Sequence, residues 1–157
     1  MRIGLISDTH GLLRPQVFQA FEGVDRILHA GDVGREDILI ELRAIAPVDA
    51  VYGNTDGWDL RGALPAERAL KIEGHRLVLV HGDALGSPTP AALRRAYPRA
   101  DVIVYGHTHV QLIDRAEGGA LTINPGAAGP ARFKLKPSVA LLALEAGAAP
   151  EVQLVAL

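Results

Sequence analysis

The sequence predicts a mixed α/β sandwich with helices on its outer faces, organised as one domain over residues 1–157. Three observations carry that expectation. Short apolar runs recur along the chain, and each ends in a glycine-flanked polar segment, as buried strands with polar C-terminal loops do. In the first half these runs alternate with apolar residues at helical spacing. In the second half they follow one another across glycine- or proline-bearing turns, the pattern of hairpins.

The first run, Ile3 to Ser7, ends at Asp8 and predicts a buried strand. Pro15 fits the first turn of a helix that carries Val17, Phe18 and Phe21 on one face and stops at Gly23. A second strand spans Arg26 to His29 and is closed by Gly31-Asp32. Ile38, Leu39, Leu42 and Ile45 fall at helical spacing within residues 35–46, and Pro47 stops that helix before a strand from Val48 to Tyr52. The loop Gly53-Asn54-Thr55-Asp56-Gly57 follows. Arg68 to Glu73 and Arg76 to Val80 predict a hairpin about Gly74-His75, closed by His81-Gly82-Asp83. Pro88 to Tyr97 predicts a short helix, and Asp101 to Tyr105 a strand leading into Gly106-His107-Thr108-His109. Val110 to Arg115, Ala120 to Ile123, Val139 to Leu144 and Val152 to Leu157 are then expected to form an antiparallel second half.

Composition excludes several classes of function. Hydrophobic residues make up 48% of the chain, yet no stretch approaches the roughly 20 apolar residues that cross a bilayer, so no membrane partner is expected. Asp8 comes too early for a secretory signal, and the expected location is cytoplasmic. There is no cysteine, hence no disulfide and no thiolate nucleophile or ligand. Any metal must bind through His, Asp, Glu or Asn. A net charge of -2 with interspersed signs offers no broad nucleic-acid surface. Arginine outnumbers lysine thirteen to three, and asparagine and methionine are scarce, which fits a thermophile and a GC-rich genome equally.

Several polar residues have an ordinary explanation when taken singly. Asp8 suits an Asx-turn, Asp32 a helix cap near Arg35, Asn54 a glycine-flanked turn, and His10 and His81 structural or exposed positions. His107-Thr108-His109 is the strongest local signal, because His-x-His at a strand end directs two imidazoles to neighbouring positions. Four of the six histidines and one of the two asparagines sit in such strand-end segments with two aspartates, which chance explains poorly. Ligands in α/β folds gather at strand C-terminal edges.

Asp8-Thr9-His10, Gly31-Asp32, Gly53-Asn54, His81-Gly82 and Gly106-His107-Thr108-His109, in that order, resemble the five blocks of the calcineurin-like metallophosphoesterases. The short chain and Asn124-Pro125-Gly126 resemble the small prokaryotic phosphodiesterase branch, which is also related to the retromer scaffold subunit. The resemblance implies two divalent ions. Asp8, His10 and His109 would hold one, Asn54, His81 and His107 the other, and Asp32 would bridge them. It further implies hydrolysis of a small phosphate ester, a phosphodiester ahead of a monoester, by a metal-bridging hydroxide. The alternatives are a protein-interaction scaffold, or a nucleotide-sensing domain with little turnover. A homo-oligomer is left open, since strands of the second half offer edges for pairing.

The thiolate-free nitrogen and oxygen donor set suits Mn, Fe, Ni, Co or Zn, with manganese first by resemblance. Two divalent ions outweigh two aspartates and a hydroxide, so the site should attract an anionic ester. Many members of the wider superfamily carry a leaving-group histidine after the motif asparagine. Here that residue is Thr55, too weak an acid for the task, which leaves Asp56 or water and predicts a preference for good leaving groups. Arg132 and Asn124 are candidate substrate contacts, and Arg132 has solvent exposure as its equal alternative. Trp58 could stack on an aromatic group but is assigned to packing. His75 is assigned to solvent in the hairpin turn, and His29 to packing.

Overall fold

The computed structural model describes residues 1–157. Ten strands and four helices follow in the order β1 (Arg2–Ile6), α1 (Gln16–Ala20), β2 (Arg26–His29), α2 (Glu36–Arg43), β3 (Val48–Ala50), α3 (Trp58–Ala63), β4 (Glu67–Ile72), β5 (His75–Val80), α4 (Pro90–Ala96), β6 (Val102–Val104), β7 (Leu112–Asp114), β8 (Leu121–Asn124), β9 (Ser138–Ala143) and β10 (Glu151–Ala156). One sheet has the order β10-β9-β1-β2-β3 and the other β4-β5-β6-β8-β7. No helix is long and apolar enough to cross a membrane.

Alternation along each central strand builds the layers. Ile3 and Leu5 of β1 point inward to meet Leu77 and Leu79 of β5, Val102 and Val104 of β6 and Ile123 of β8, forming the core between the sheets. Ile6 points outward, where Val17 and Phe21 beside α1 and Ile38, Leu39 and Leu42 of α2 cover the first sheet. Ile103 and Tyr105 meet Leu93 of α4 on the outer face of the second. The expected sandwich with outer helices is therefore what forms. Covered on both faces, β6 and β1 from Ile3 onward are apolar, and each fully buried Ile, Leu or Val contributes about 1.5–3 kcal/mol.

Local expectations fail at four places. The second half is not wholly antiparallel, because β8 pairs parallel with β6, and β9 returns to the first sheet beside β1. Ser138 to Leu142 is apolar or buried on both faces, and such a strand finds cover only inside a sheet. Phe18 does not share the buried face of α1, since Val17 and Phe21 are four residues apart and Phe18 lies about 100° round the helix, 42% exposed. The hairpin turn is Glu73-Gly74, both at positive φ (49° and 81°), which matches the twist of the flanking strands. His75 therefore begins β5, with Nε2 3.1 Å from the Glu145 carbonyl oxygen.

Candidate metal centre

Strands β1, β2, β3, β5 and β6 are mutually parallel within their sheets, so their C-terminal loops emerge at one end of the sandwich. Those loops carry Asp8 and His10, Asp32, Asn54, His81, and His107 and His109 respectively. Backbone bonds splice them together beyond the strands: Asp8 N–H donates to Gly31 O at 3.0 Å, His10 N–H to Asp32 O at 3.0 Å, and Gly106 N–H to His81 O at 3.1 Å. Gly53 and Gly106 are needed where the loops touch. A Cβ on Gly53 would sit 2.5 Å from Asp32 N, and one on Gly106 2.7 Å from Asp8 Oδ2.

Donor atoms converge from all seven predicted residues. Asp8 Oδ1 lies 3.1 Å from His109 Nε2 and 3.8 Å from His10 Nε2, and the two imidazole nitrogens are 3.4 Å apart. Asp32 Oδ2 lies 3.3 Å from His81 Nε2 and 3.9 Å from His10 Nε2, so it faces both ends of the cluster. Asn54 Oδ1 is 3.1 Å from His81 Nε2 and 3.2 Å from His107 Nδ1. Neighbouring ligands on an ion bound at about 2.0–2.2 Å stand about 3.0–3.5 Å apart, so most of these separations suit a shared cation. Asp8 with His10 and His109, and Asp8 with Asp32 and His81, each form a group able to hold an ion.

Burial makes the same point. Asp8 is fully buried, and its Oδ2 accepts from Ser7 Oγ at 2.6 Å and His107 N–H at 3.1 Å, whereas Oδ1 has no hydrogen-bond partner. A buried carboxylate oxygen facing two imidazoles without a donor fits a cation that completes it. Five of the seven residues also sit at positive φ: Asp8 (53°), His10 (46°), Asp32 (52°), His107 (69°) and His109 (61°). Such conformations cost on the order of 1–3 kcal/mol each and gather at functional sites.

Neighbouring groups orient the donors. The 2.7 Å contact of His81 Nδ1 with the Ala30 carbonyl makes that nitrogen the donor and turns Nε2 towards Asp32 and Asn54. Burial opposes a charge on His81, but the Asp32 hydrogen bond and the charges of Asp8 and Asp32 outweigh it and raise the metal-free pKa to about 9. Burial likewise acts against the Asp32 carboxylate, yet bonds from His81 and from Thr55 N–H hold it well below the usual carboxylate range. His10 is lowered, chiefly by burial, with Asp32 and Asp8 opposing.

The other candidates separate on their surroundings. Asp56 is 4% exposed, and its carboxylate accepts N–H bonds from Val33, Gly34 and Gly53 at 3.2, 2.9 and 2.9 Å. It ties the Asp32 loop to the Asn54 loop and is not placed to protonate a leaving group. Asn124 is fully buried, donates to Gly106 O and Thr108 Oγ1 and accepts from Gly126 N–H. It shapes the His107–His109 loop and cannot reach a substrate. Arg132 is exposed, near enough to His10 to act on its charge. Trp58 is 93% exposed, so it does not pack.

Sequence patterns missed the supports behind the candidate donors. His29 is buried between two loops. Gly31 N–H donates to its Nδ1 at 3.2 Å, which leaves Nε2 to donate to Thr9 Oγ1 at 2.9 Å, and Thr9 donates onward to Val33 O at 2.8 Å. The available signal was its place two residues before a motif glycine, which does not reveal a partner twenty residues away.

Residues 1–147 match the calcineurin-like phosphoesterase superfamily domain. A probable metallophosphoesterase of Methanothermobacter thermautotrophicus is 39% identical, over 92% of this chain and 87% of that protein. Among solved structures, Entamoeba histolytica Vps29 complexed with zinc superposes with a TM-score of 0.79 at 24% identity, covering 99% of both chains. A structure described as a novel archaeal phosphodiesterase has a TM-score of 0.76 at 24% identity and covers 100% of each chain.

Proposed function

We propose that this chain, which belongs to the calcineurin-like phosphoesterase superfamily, is a two-metal phosphodiesterase acting on small esters. The observation that carries the reading is the buried, partnerless Asp8 Oδ1 within a ring of imidazole, carboxylate and carboxamide donors. Asp8, His10 and His109 would hold one ion, Asn54, His81 and His107 the other, and Asp32 both. When bound, two divalent ions supply an activated water and a clamp for phosphoryl oxygens.

The chain's own groups set the rest. Ala30 O keeps His81 Nε2 turned inward, Thr55 N–H steadies Asp32, and Ser7 with His107 N–H steadies Asp8. Arg132 is an exposed guanidinium whose charge is felt at His10, suited to a phosphate oxygen. With Asp56 committed to three backbone amides and Thr55 too weak, the chain places no side-chain acid at the leaving oxygen, and esters of acidic alcohols are the preferred substrates. The diester preference draws on the likeness to the archaeal phosphodiesterase, and manganese is the first ion to try.

The test is a chromogenic phosphodiester assayed with EDTA-treated protein and with Mn, Fe, Ni, Co and Zn added back singly. Turnover should return with a transition metal and fall to background in Asp32→Ala and His81→Ala. The likeness to Vps29 favours a second reading, a protein-interaction scaffold. Metal binding without turnover of any phosphate ester would favour the scaffold and sink the enzyme.

A further inference from the structure

Beside the metal centre lies a cleft of about 530 Å³ that none of the seven donors lines. Its walls are Gly34-Arg35-Glu36 and Gly57-Trp58-Asp59-Leu60. The first segment continues directly from Asp32, and the second begins three residues after Asn54. The Arg35 stem lies over Gly11, next to His10, with its Cγ 3.5 Å from where a Gly11 Cβ would be. Asp56 pins the two walls by bonding Gly34 N–H from one and Gly53 N–H at the root of the other. The cleft is thus rigidly joined to the loops of the site. Its volume falls within the roughly 300–1,000 Å³ of small-molecule pockets.

Trp58 is the only tryptophan in the chain and stands 93% exposed on that wall. Indoles normally hide most of their surface, and an exposed one offers a flat face for stacking. The charges around it are mixed, one guanidinium from Arg35 and carboxylates from Glu36 and Asp59. That mixture does not suit a second phosphate, and a purely alkyl group would leave it unused. A nucleobase combines a flat apolar face with donors and acceptors on its edge, and so matches both features.

We propose that this cleft is the specificity subsite of the enzyme, stacking a nucleobase of the substrate on Trp58 while its phosphodiester lies at the metal centre. The proposal rests on the phosphoesterase reading above. It makes the substrate class nucleoside phosphodiesters in preference to glycerol or sugar phosphodiesters. Trp58 is at most about 14 Å from Asn54 along the backbone, which keeps the two on one short loop and helix start.

The single tryptophan makes the test direct. Adenosine 5′-monophosphate should quench its fluorescence saturably in metal-loaded protein, while ribose 5-phosphate and inorganic phosphate should not. Trp58→Ala should lower the ratio of kcat/KM for a dinucleoside monophosphate over that for a glycerophosphodiester about tenfold, through KM, and Trp58→Phe should restore most of it. Absence of quenching, or an equal loss on both substrates, overturns the subsite and leaves the phosphodiesterase standing. Quenching by the nucleotide in a protein that turns over no ester supports the subsite and sinks the enzyme.

Discussion

Substituting Gly53 by alanine tests whether the position of Asp32 governs the centre. The new Cβ would lie 2.5 Å from Asp32 N and 2.7 Å from its carboxyl carbon. Reaching an ordinary 3.4 Å contact requires the Asp32 loop to retreat by 0.9 Å (3.4 − 2.5). Rotating the Asp32 side chain cannot relieve this, because one colliding atom belongs to the backbone. The retreat stretches the 2.9 Å bond from Thr55 N–H and carries Oδ2 away from His81. Overpacking of this kind costs about 1–3 kcal/mol, and misplacement near 1 Å costs turnover about a hundredfold. Thermal unfolding of metal-free protein, calorimetric metal titration and diester turnover read the three effects separately. Gly53→Ala should lower the Tm by several degrees, weaken metal binding and reduce kcat. Gly62→Ala, whose Cβ meets nothing within 4 Å, is the control. A Gly53→Ala protein with lowered Tm but wild-type metal affinity would refute Asp32 as a ligand.

Three further outcomes are expected. Because metal-free His81 holds its proton up to about pH 9 and coordination requires Nε2 bare, metal binding at pH 7.5 should release about one proton from this group, and affinity should weaken about tenfold per unit as pH falls below 9; titration in buffers of different ionisation enthalpy measures this, and no release contradicts it. His29 is lowered by burial to about 4, so between pH 6.5 and 4 the unfolded chain binds a proton the native state refuses. Stability of EDTA-treated protein therefore falls as pH drops through that window, by up to about 3 kcal/mol from this residue, and the denaturant stability gap between wild type and His29→Leu should narrow accordingly; a gap independent of pH would count against it. Thr55 is exposed beside Asn54, and Thr55→His should raise kcat about tenfold or more on alkyl leaving groups while leaving p-nitrophenyl esters little changed, an outcome that a uniform effect on both would exclude.

Much of this was legible in the chain because burial on both faces demands continuous apolar runs, and those runs marked β1, β2, β5 and β6 to within a residue or two. The candidate donors were legible through the family resemblance and for a related reason: parallel strands deliver their C-terminal loops to one end, where polar clusters after successive strands can meet. Sheet order was not. Nothing local to Ser138–Ala143 says that it pairs with Arg2–Ile6 and not with the preceding strand. Helix α3 escaped because six residues with one buried side chain, Leu60, show no period. Asp56 was misjudged, and the hydrogen bonds of the buried His29 escaped notice, because their partners lie about twenty residues away across a loop contact. Trp58 was misjudged because composition says what a tryptophan usually does and not where a short helix points it.

The energetics argue against the donor cluster being a relic of packing. Five strained backbones and one buried carboxylate oxygen without a donor all stand in the same few ångströms. An unpaired buried polar atom alone costs about 1–3 kcal/mol, more when charged, and the imidazole nitrogens of His109 and His10, 3.1 and 3.8 Å from Asp8 Oδ1, make no hydrogen bond to it. Packing could remove the orphan cheaply, since an asparagine at position 8 would keep an oxygen for Ser7 Oγ and His107 N–H and offer an amide donor towards His109. A bound cation would remove these costs differently, by satisfying Asp8 Oδ1 and neutralising the facing carboxylates. Ties from Ser7, Thr9, Ala30, Thr55 and Asp56 hold the loops in these conformations. If Asp8 Oδ1 is held for a cation, Asp8→Asn should stabilise the metal-free fold while weakening metal binding, a combination that a purely structural Asp8 would not produce.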